Sequence, residues 1–509
     1  MPDIPASYTA AKPAMDAAAA TSTGPKTLVC IFLFGGADTH NMLVPVDGAN
    51  RTIYDTWRPS PAPAATSVTY PTTLSGVGIG ETPTCQLGTT PNWRLHPKLG
   101  TNHGPAAKSF YSFWQDNQMA IVRSVGTLNR PTSRAEYLAN QNQIRPDQLF
   151  AHNIQQDIWQ AALRHRELRT TGWFGRTANL MDPSFNPAQL VESSGFSTSG
   201  RRLQQWMYGA ANPNIIPPTQ MNTGNTVGTT NANSFTTRLY KMYHATTQTS
   251  PSAPTNAFPF TQPYSPVNNL HNAQRDNFID AIRTQEAVNT NLLPLPGAQD
   301  AYFNITNMPN VTDGNGVVRS NPFRTQLQAA ARAIYSRTRV AGAEMDQQRQ
   351  VIMVSIGGWD NHLDLRNNMD WLLESMSVGL AGFWRCLQDL TIDGTGTPLS
   401  ETVAVFTETE FSRTFKANTT NGTDHAWAGH HFVIASPSNI TRGLYGIEPD
   451  YTIGAGRDVD TNLGRYIPDV SIDQYYATLL RWFGVPSAQM PLILPNLVNF
   501  EGWDLGFLK

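Results

Sequence analysis

The chain has 509 residues, of which 40% are hydrophobic, 10% aromatic and 15% charged. It is long enough to bury two or three ordinary cores, or one large α/β core. A net charge of −2 argues against a general electrostatic grip on nucleic acid or on an anionic membrane.

No apolar stretch reaches the roughly 18–20 residues of a membrane span. The N-terminal residues 1–26 lack a basic start followed by an apolar core. They therefore give no readable secretory signal, and their Pro, Ala, Ser and Thr content predicts a flexible arm. Cys30, Cys85 and Cys386 show no metal-type spacing and read as free thiols.

Thr27–Phe34 is the first buried strand, apolar on both faces, and it runs into Gly35-Gly36-Ala37-Asp38. Residues 58–93 are rich in Pro, Thr, Ser and Gly and read as a long insertion. A helix is expected within Leu95–Trp114 and a second strand over Gln118–Val125. That strand leads into Thr132, Ser133 and Arg134. A hydroxyl there is either a helix N-cap or a nucleophile.

Asp147–Arg169 has helical apolar spacing, with His152 as a residue that can point towards a strand-end site. Residues 193–266 form a second polar insertion. Further helices are expected over Asn269–Leu293, Pro322–Met345, Leu363–Leu390 and Val470–Gly484, and further strands at Val351, Thr402–Thr407 and His431–Ala435. Strands alternating with helices imply a doubly wound, largely parallel sheet. Ligands then collect beyond the carboxyl ends of its strands.

The chemistry gathers at those ends. The strand at Val351 finishes in Gly357-Gly358-Trp359-Asp360, near-identical to Gly35–Asp38, with His362 two residues on. Glu410 and Arg413 follow the strand Thr402–Thr407. The loop 422–431 adds Asp424, His425, His430 and His431, the last read as structural. Carboxylates and imidazoles together suit zinc or another first-row metal, and three carboxylates with two histidines would neutralise two divalent ions. A Ser133 or Thr132 alkoxide would attack a phosphoryl or sulfuryl centre, with Arg134 or Arg413 on its non-bridging oxygens. The bland alternatives are a turn role for Asp38, a packed histidine at 362 and a Glu410–Arg413 ion pair.

FLFGGADTHNMLVP, RPDQLFAHNIQQDIWQ, TGWFGR, SIGGWDNH, FTETEFSRT, GTDHAWAGHHFVIA and DQYYATLLRWFGV occur here in order. Over roughly residues 27–500 the chain resembles the bacterial domain-of-unknown-function family fifteen-oh-one, of the alkaline phosphatase and sulfatase-like superfamily. The resemblance implies one α/β domain over 27–509, a three-layer α/β/α sandwich with a largely parallel sheet and polar insertions. It implies Asp38, Asp360, His362 and Glu410 as metal ligands, with His425 or His430 as the late histidine, and Ser133 or Thr132 at the nucleophile position. Zinc leads as the metal, with calcium and magnesium kept open. The chain departs from the superfamily pattern at Phe411, which cannot bind metal, and at Ser412, where the family commonly has glycine. It also lacks the twin-arginine signal that would accompany the periplasmic or extracellular location the family implies. The expected function is hydrolysis of a small-molecule or polymer ester. The alternative is a non-catalytic surface, matrix or assembly protein on the same scaffold. A homo-oligomer or assembly is kept open as a partner in either case.

Overall fold

The computed structural model describes residues 24–58, 93–101, 108–139, 144–164, 172–180, 195–197, 219–220, 293–337, 349–392, 395–460 and 462–509. The expected helix Asn269–Leu293, nearly all of both insertions and Cys85 lie outside these residues. Cys30 and Cys386 are free and buried.

Among the described residues the core is a nine-stranded sheet. Its strands are β1 (Lys26–Leu33), β2 (Met119–Gly126), β3 (Gly195–Ser197), β4 (Thr219–Gln220), β5 (Arg349–Ile356), β6 (Val403–Glu408), β7 (Gly429–Ala435), β8 (Gly443–Tyr445) and β9 (Val470–Ser471). Across the sheet they run β8-β2-β7-β6-β1-β5-β3-β4, with β9 also against β2. Every pairing is parallel except those of β7, which lies antiparallel between β6 and β2.

Strand periodicity sorts the apolar residues to two faces. Val29, Ile31 and Leu33 of β1 join Ile352, Val354 and Ile356 of β5 in one core. Helices α1 (Gly48–Trp57), α2 (Phe110–Gln115), α6 (Arg324–Ser336) and α7 (Leu365–Asp389) bury residues in that core. Leu28, Cys30 and Phe32 join Val351, Met353, Ala404 and Phe406 in the other. That core takes residues from α4 (His152–Ala161), α5 (Trp173–Leu180) and α8 (Ile472–Phe483). The architecture is mixed α/β with a mostly parallel central sheet. No helix among the described residues is long and apolar enough to cross a membrane.

Three expected helices differ in their bounds. Within Leu95–Trp114 the chain first pairs Trp93–Leu95 with Leu43–Pro45 and makes a tight turn at Pro97–Gly100. It becomes helical only at Phe110, where the Ser109 amide donates to Ser112 Oγ at 3.1 Å. Helix α4 starts at His152 rather than Asp147. Gln148 and Ala162, with φ of 39° and 50°, bracket it in the left-handed region that breaks a helix. Helix α6 begins at Arg324, beyond Pro322, and the described chain pauses after residue 337.

Helix α3 (Arg134–Ala139) opens with Ser133 as its cap. Ser133 Oγ donates to Glu136 Oε2 at 2.9 Å and accepts from the Glu136 amide at 3.2 Å, while the Ser133 amide bonds Glu136 Oε2 at 2.9 Å. This reciprocal pattern is a capping box.

One strand reverses direction within this sheet. Because β7 runs backwards, its amino end meets the carboxyl ends of β1, β5 and β6. The loop 422–428 therefore arrives on the ligand-bearing edge of the sheet.

Candidate metal centre

The two Gly-Gly turns pack back to back. A Cβ on Gly35, whose φ is +120°, would sit 2.4 Å from the Asp360 amide nitrogen, so only glycine permits this approach. The Trp359 amide also donates to the Phe34 carbonyl at 3.2 Å.

Their carboxylates nevertheless part company. Asp38 turns inward to Arg58, at 2.7 and 3.2 Å, and both side chains are fully buried. Asn41 Nδ2 adds a third donor to Asp38 at 3.1 Å. Asp360 faces outward, with 49% of its side chain exposed.

Around Asp360 Oδ1 lie Arg413 Nη2 at 2.5 Å, His362 Nε2 at 3.2 Å, His152 Nε2 at 3.5 Å and His425 Nε2 at 3.7 Å. His152, Asp360 and His425 form a group whose donor atoms all lie within 4.8 Å of one another. His362 Nε2 is 2.9 Å from His425 Nε2. Donors about 2.0–2.1 Å from a tetrahedral ion stand roughly 3.3 Å apart, and these separations bracket that value.

The far side of each ring fixes its proton. His152 Nδ1 meets Glu410 Oε1 at 2.8 Å, His362 Nδ1 meets Asp424 Oδ1 at 2.9 Å, and His425 Nδ1 meets the Phe150 carbonyl at 2.8 Å. Carbonyls and ionised carboxylates only accept, so each Nδ1 carries a hydrogen, and in the neutral ring Nε2 is the nitrogen that keeps the lone pair. Burial pushes His425 down to about 4, with Arg413, His152 and His362 adding to the shift, so it is neutral at pH 7. Burial works against ionisation of Asp360 and Asp424. Bonds from Arg413 to Asp360, and from His362 and Asn418 to Asp424, nonetheless hold both carboxyls below the usual range.

Two lone pairs 2.9 Å apart repel unless a proton or a metal ion lies between them. His152 Nε2 is buried and has no hydrogen-bond partner among the described residues. Three imidazole lone pairs and one carboxylate oxygen therefore fit a metal ion. Phe411 closes the floor, its ring 4.8 Å from that of His152 and 4.6 Å from that of His425.

Of the residues singled out from sequence, the structure brings His152, Asp360, His362 and His425 together. Glu410 stands one layer behind, bonded to His152 rather than to Arg413. Arg413 is fully buried and donates to the carbonyls of Gly36 at 2.6 Å, Thr423 at 3.1 Å and Gly35, besides Asp360. It clasps the turns together and its fork has no arm free for a substrate.

Thr132 Oγ1 donates to the Arg130 carbonyl at 2.8 Å, and Arg134 Nε to the Asp458 carbonyl at 2.5 Å. With Ser133 serving as a cap, none of these three contacts the cluster. Ser133→Ala is expected to cost about 1 kcal/mol in unfolding free energy through loss of the cap, with ester hydrolysis retained. A loss of hydrolysis without unfolding would return Ser133 to the nucleophile role.

His430 and His431 point to opposite faces of β7. His430 bonds the Tyr451 hydroxyl at 2.8 Å and the Ser124 amide at 3.3 Å, and burial pushes it down to about 3. His431 Nδ1 bonds the Thr407 carbonyl at 2.9 Å.

Sequence reasoning missed Arg58, which carries no local motif, and the second-layer roles of Asp424 and the Phe150 carbonyl. A histidine beside a carboxylate in a loop was the available signal for Asp424.

No curated protein and no solved structure matches the chain. Residues 200–445 match the model of a family described as Protein of unknown function (DUF1501). Asp360, His362, Glu410, Arg413, Asp424 and His425 fall within that stretch, and His152 lies before it. The greater part of the candidate centre thus lies within the matched stretch.

Proposed function

We propose that the chain is a metal-dependent hydrolase of phosphate or sulfate esters, on an alkaline phosphatase-like α/β/α scaffold. The observation that carries this reading is the convergence of three imidazole Nε2 atoms on Asp360 at the carboxyl edge of the sheet. Such a donor set favours zinc or another first-row ion over calcium and magnesium, which prefer all-oxygen shells. A divalent ion bound there would act as a Lewis acid and offset the charge of an anionic ester.

The protein groups supply the rest. Asp360 and His362, with 49% and 43% of their side chains exposed, leave one side of the centre open to a substrate. Arg413 and Phe411 close the other side. Asp424 at the mouth holds the Nδ1 hydrogen of His362 and so orients that ring towards the centre. Asp38 and His430 stand apart, so among the described residues the reading is a single-metal centre rather than a pair.

The second reading, a non-catalytic surface, matrix or assembly protein, draws on one observation: Arg58 and Arg413 already neutralise Asp38 and Asp360. Metal analysis of the purified protein, with hydrolysis assays on aryl phosphates and sulfates after metal supplementation, separates the two. The hydrolase reading expects about one first-row ion per chain and metal-dependent turnover. No bound metal and no hydrolysis of either ester class would sink it.

A further inference from the structure

We infer that Glu410 is a positioning residue that holds His152 as a metal donor, an inference that rests on the metal-dependent reading of this site. Glu410 is fully buried, and among the described residues its only ion-pair partner is His152. Its Oε1 accepts from His152 Nδ1 at 2.8 Å, from Gln156 Nε2 at 2.9 Å and from the Gly35 amide at 2.9 Å, while Oε2 has no partner. A buried carboxylate that pairs with no Lys or Arg among the described residues is steadied by such N–H donors and by any positive charge nearby. The route open to it runs through the imidazole: Nδ1 donates to Glu410, and Nε2, buried and unbonded, faces Asp360 and His425.

The bond does two things. It fixes the tautomer, so that the lone pair and not the N–H points into the centre. It also raises the basicity of the ring, as carboxylate partners of metal-binding histidines do. Helix α4 begins at His152, so without Glu410 nothing else in the described contacts fixes the protonation of this first helical residue.

The test uses the full chain and Co²⁺ as the probe, with affinity read by chelator competition and ligand geometry by visible absorption. Glu410→Gln keeps an acceptor oxygen near Nδ1 but removes the charge. It is expected to weaken Co²⁺ binding roughly 10–100-fold and to shift the absorption bands. Gln156→Ala removes a different bond to the same oxygen and is expected to leave both readouts unchanged. Equal losses in the two variants would mean general loosening and would overturn the inference. So would wild-type affinity and spectrum in Glu410→Gln, although metal binding by the wild type would then still stand. Absence of Co²⁺ uptake by the wild type overturns the inference together with the metal-dependent reading. If Glu410→Gln fails to fold, Glu410→Asp keeps the charge and draws the oxygen back by one methylene, and unchanged affinity in that variant overturns the inference.

Discussion

Asp360→Ala is expected to reduce bound metal to below about one-tenth of an ion per chain, with ester hydrolysis falling in parallel. Its Oδ1 is the atom around which His152, His362 and His425 gather, and it is the carboxylate of the group. Removing it leaves neutral donors and the Arg413 guanidinium, which would repel a divalent cation. Asp360→Asn makes the cleaner comparison. It keeps the shape and an oxygen for Arg413 but loses the charge, so folding should be preserved while metal content drops. Elemental analysis with a circular dichroism melt reads both. Unchanged metal content in a folded Asp360→Ala protein would show that the centre lies elsewhere.

Removing Arg58 should act on stability and not on metal. Arg58 and Asp38 are fully buried, and Arg58 also donates to the carbonyls of Phe415 at 2.6 Å and Thr414 at 2.9 Å. Arg58→Ala strands the Asp38 carboxylate in the interior. A cost of about 3–5 kcal/mol is expected, because the penalty is that of an uncompensated buried charge. The double variant Arg58→Met with Asp38→Leu should recover much of that loss, since the pair's desolvation disappears with it. Urea unfolding of the single and double variants measures the difference. Asp38→Asn should keep its metal, and a metal deficit equal to that of Asp360→Ala would make Asp38 a ligand after all.

Asp38 and Asp360 mark where local reading stops. Both follow an apolar strand, two glycines and one spacer, and their surroundings in sequence are almost interchangeable. Their fates are set by partners at long range: Arg58 at the end of α1 for one, Arg413 and three histidines for the other. His152 shows the same limit. Its place on a helix was legible, but its bond to Glu410, 258 residues away, was not. Ser133 went the other way, because its cap partner lies three residues on, within reach of a local rule.

By itself the sequence determined the elements whose signals are local. Continuous apolar runs specify strands buried on both faces, periodic apolar spacing specifies α7 and α8, and paired glycines specify sharp turns at strand ends. Tertiary structure decided the direction of β7, and with it the side of the sheet on which His425 arrives. The apolar run Phe432–Ala435 reads alike in either direction, since its side chains alternate between the same two cores whichever way the chain travels. Its hydrogen bonds to β6 and β2 set that direction, and only then do Asp360, His362 and His425 share one site with His152.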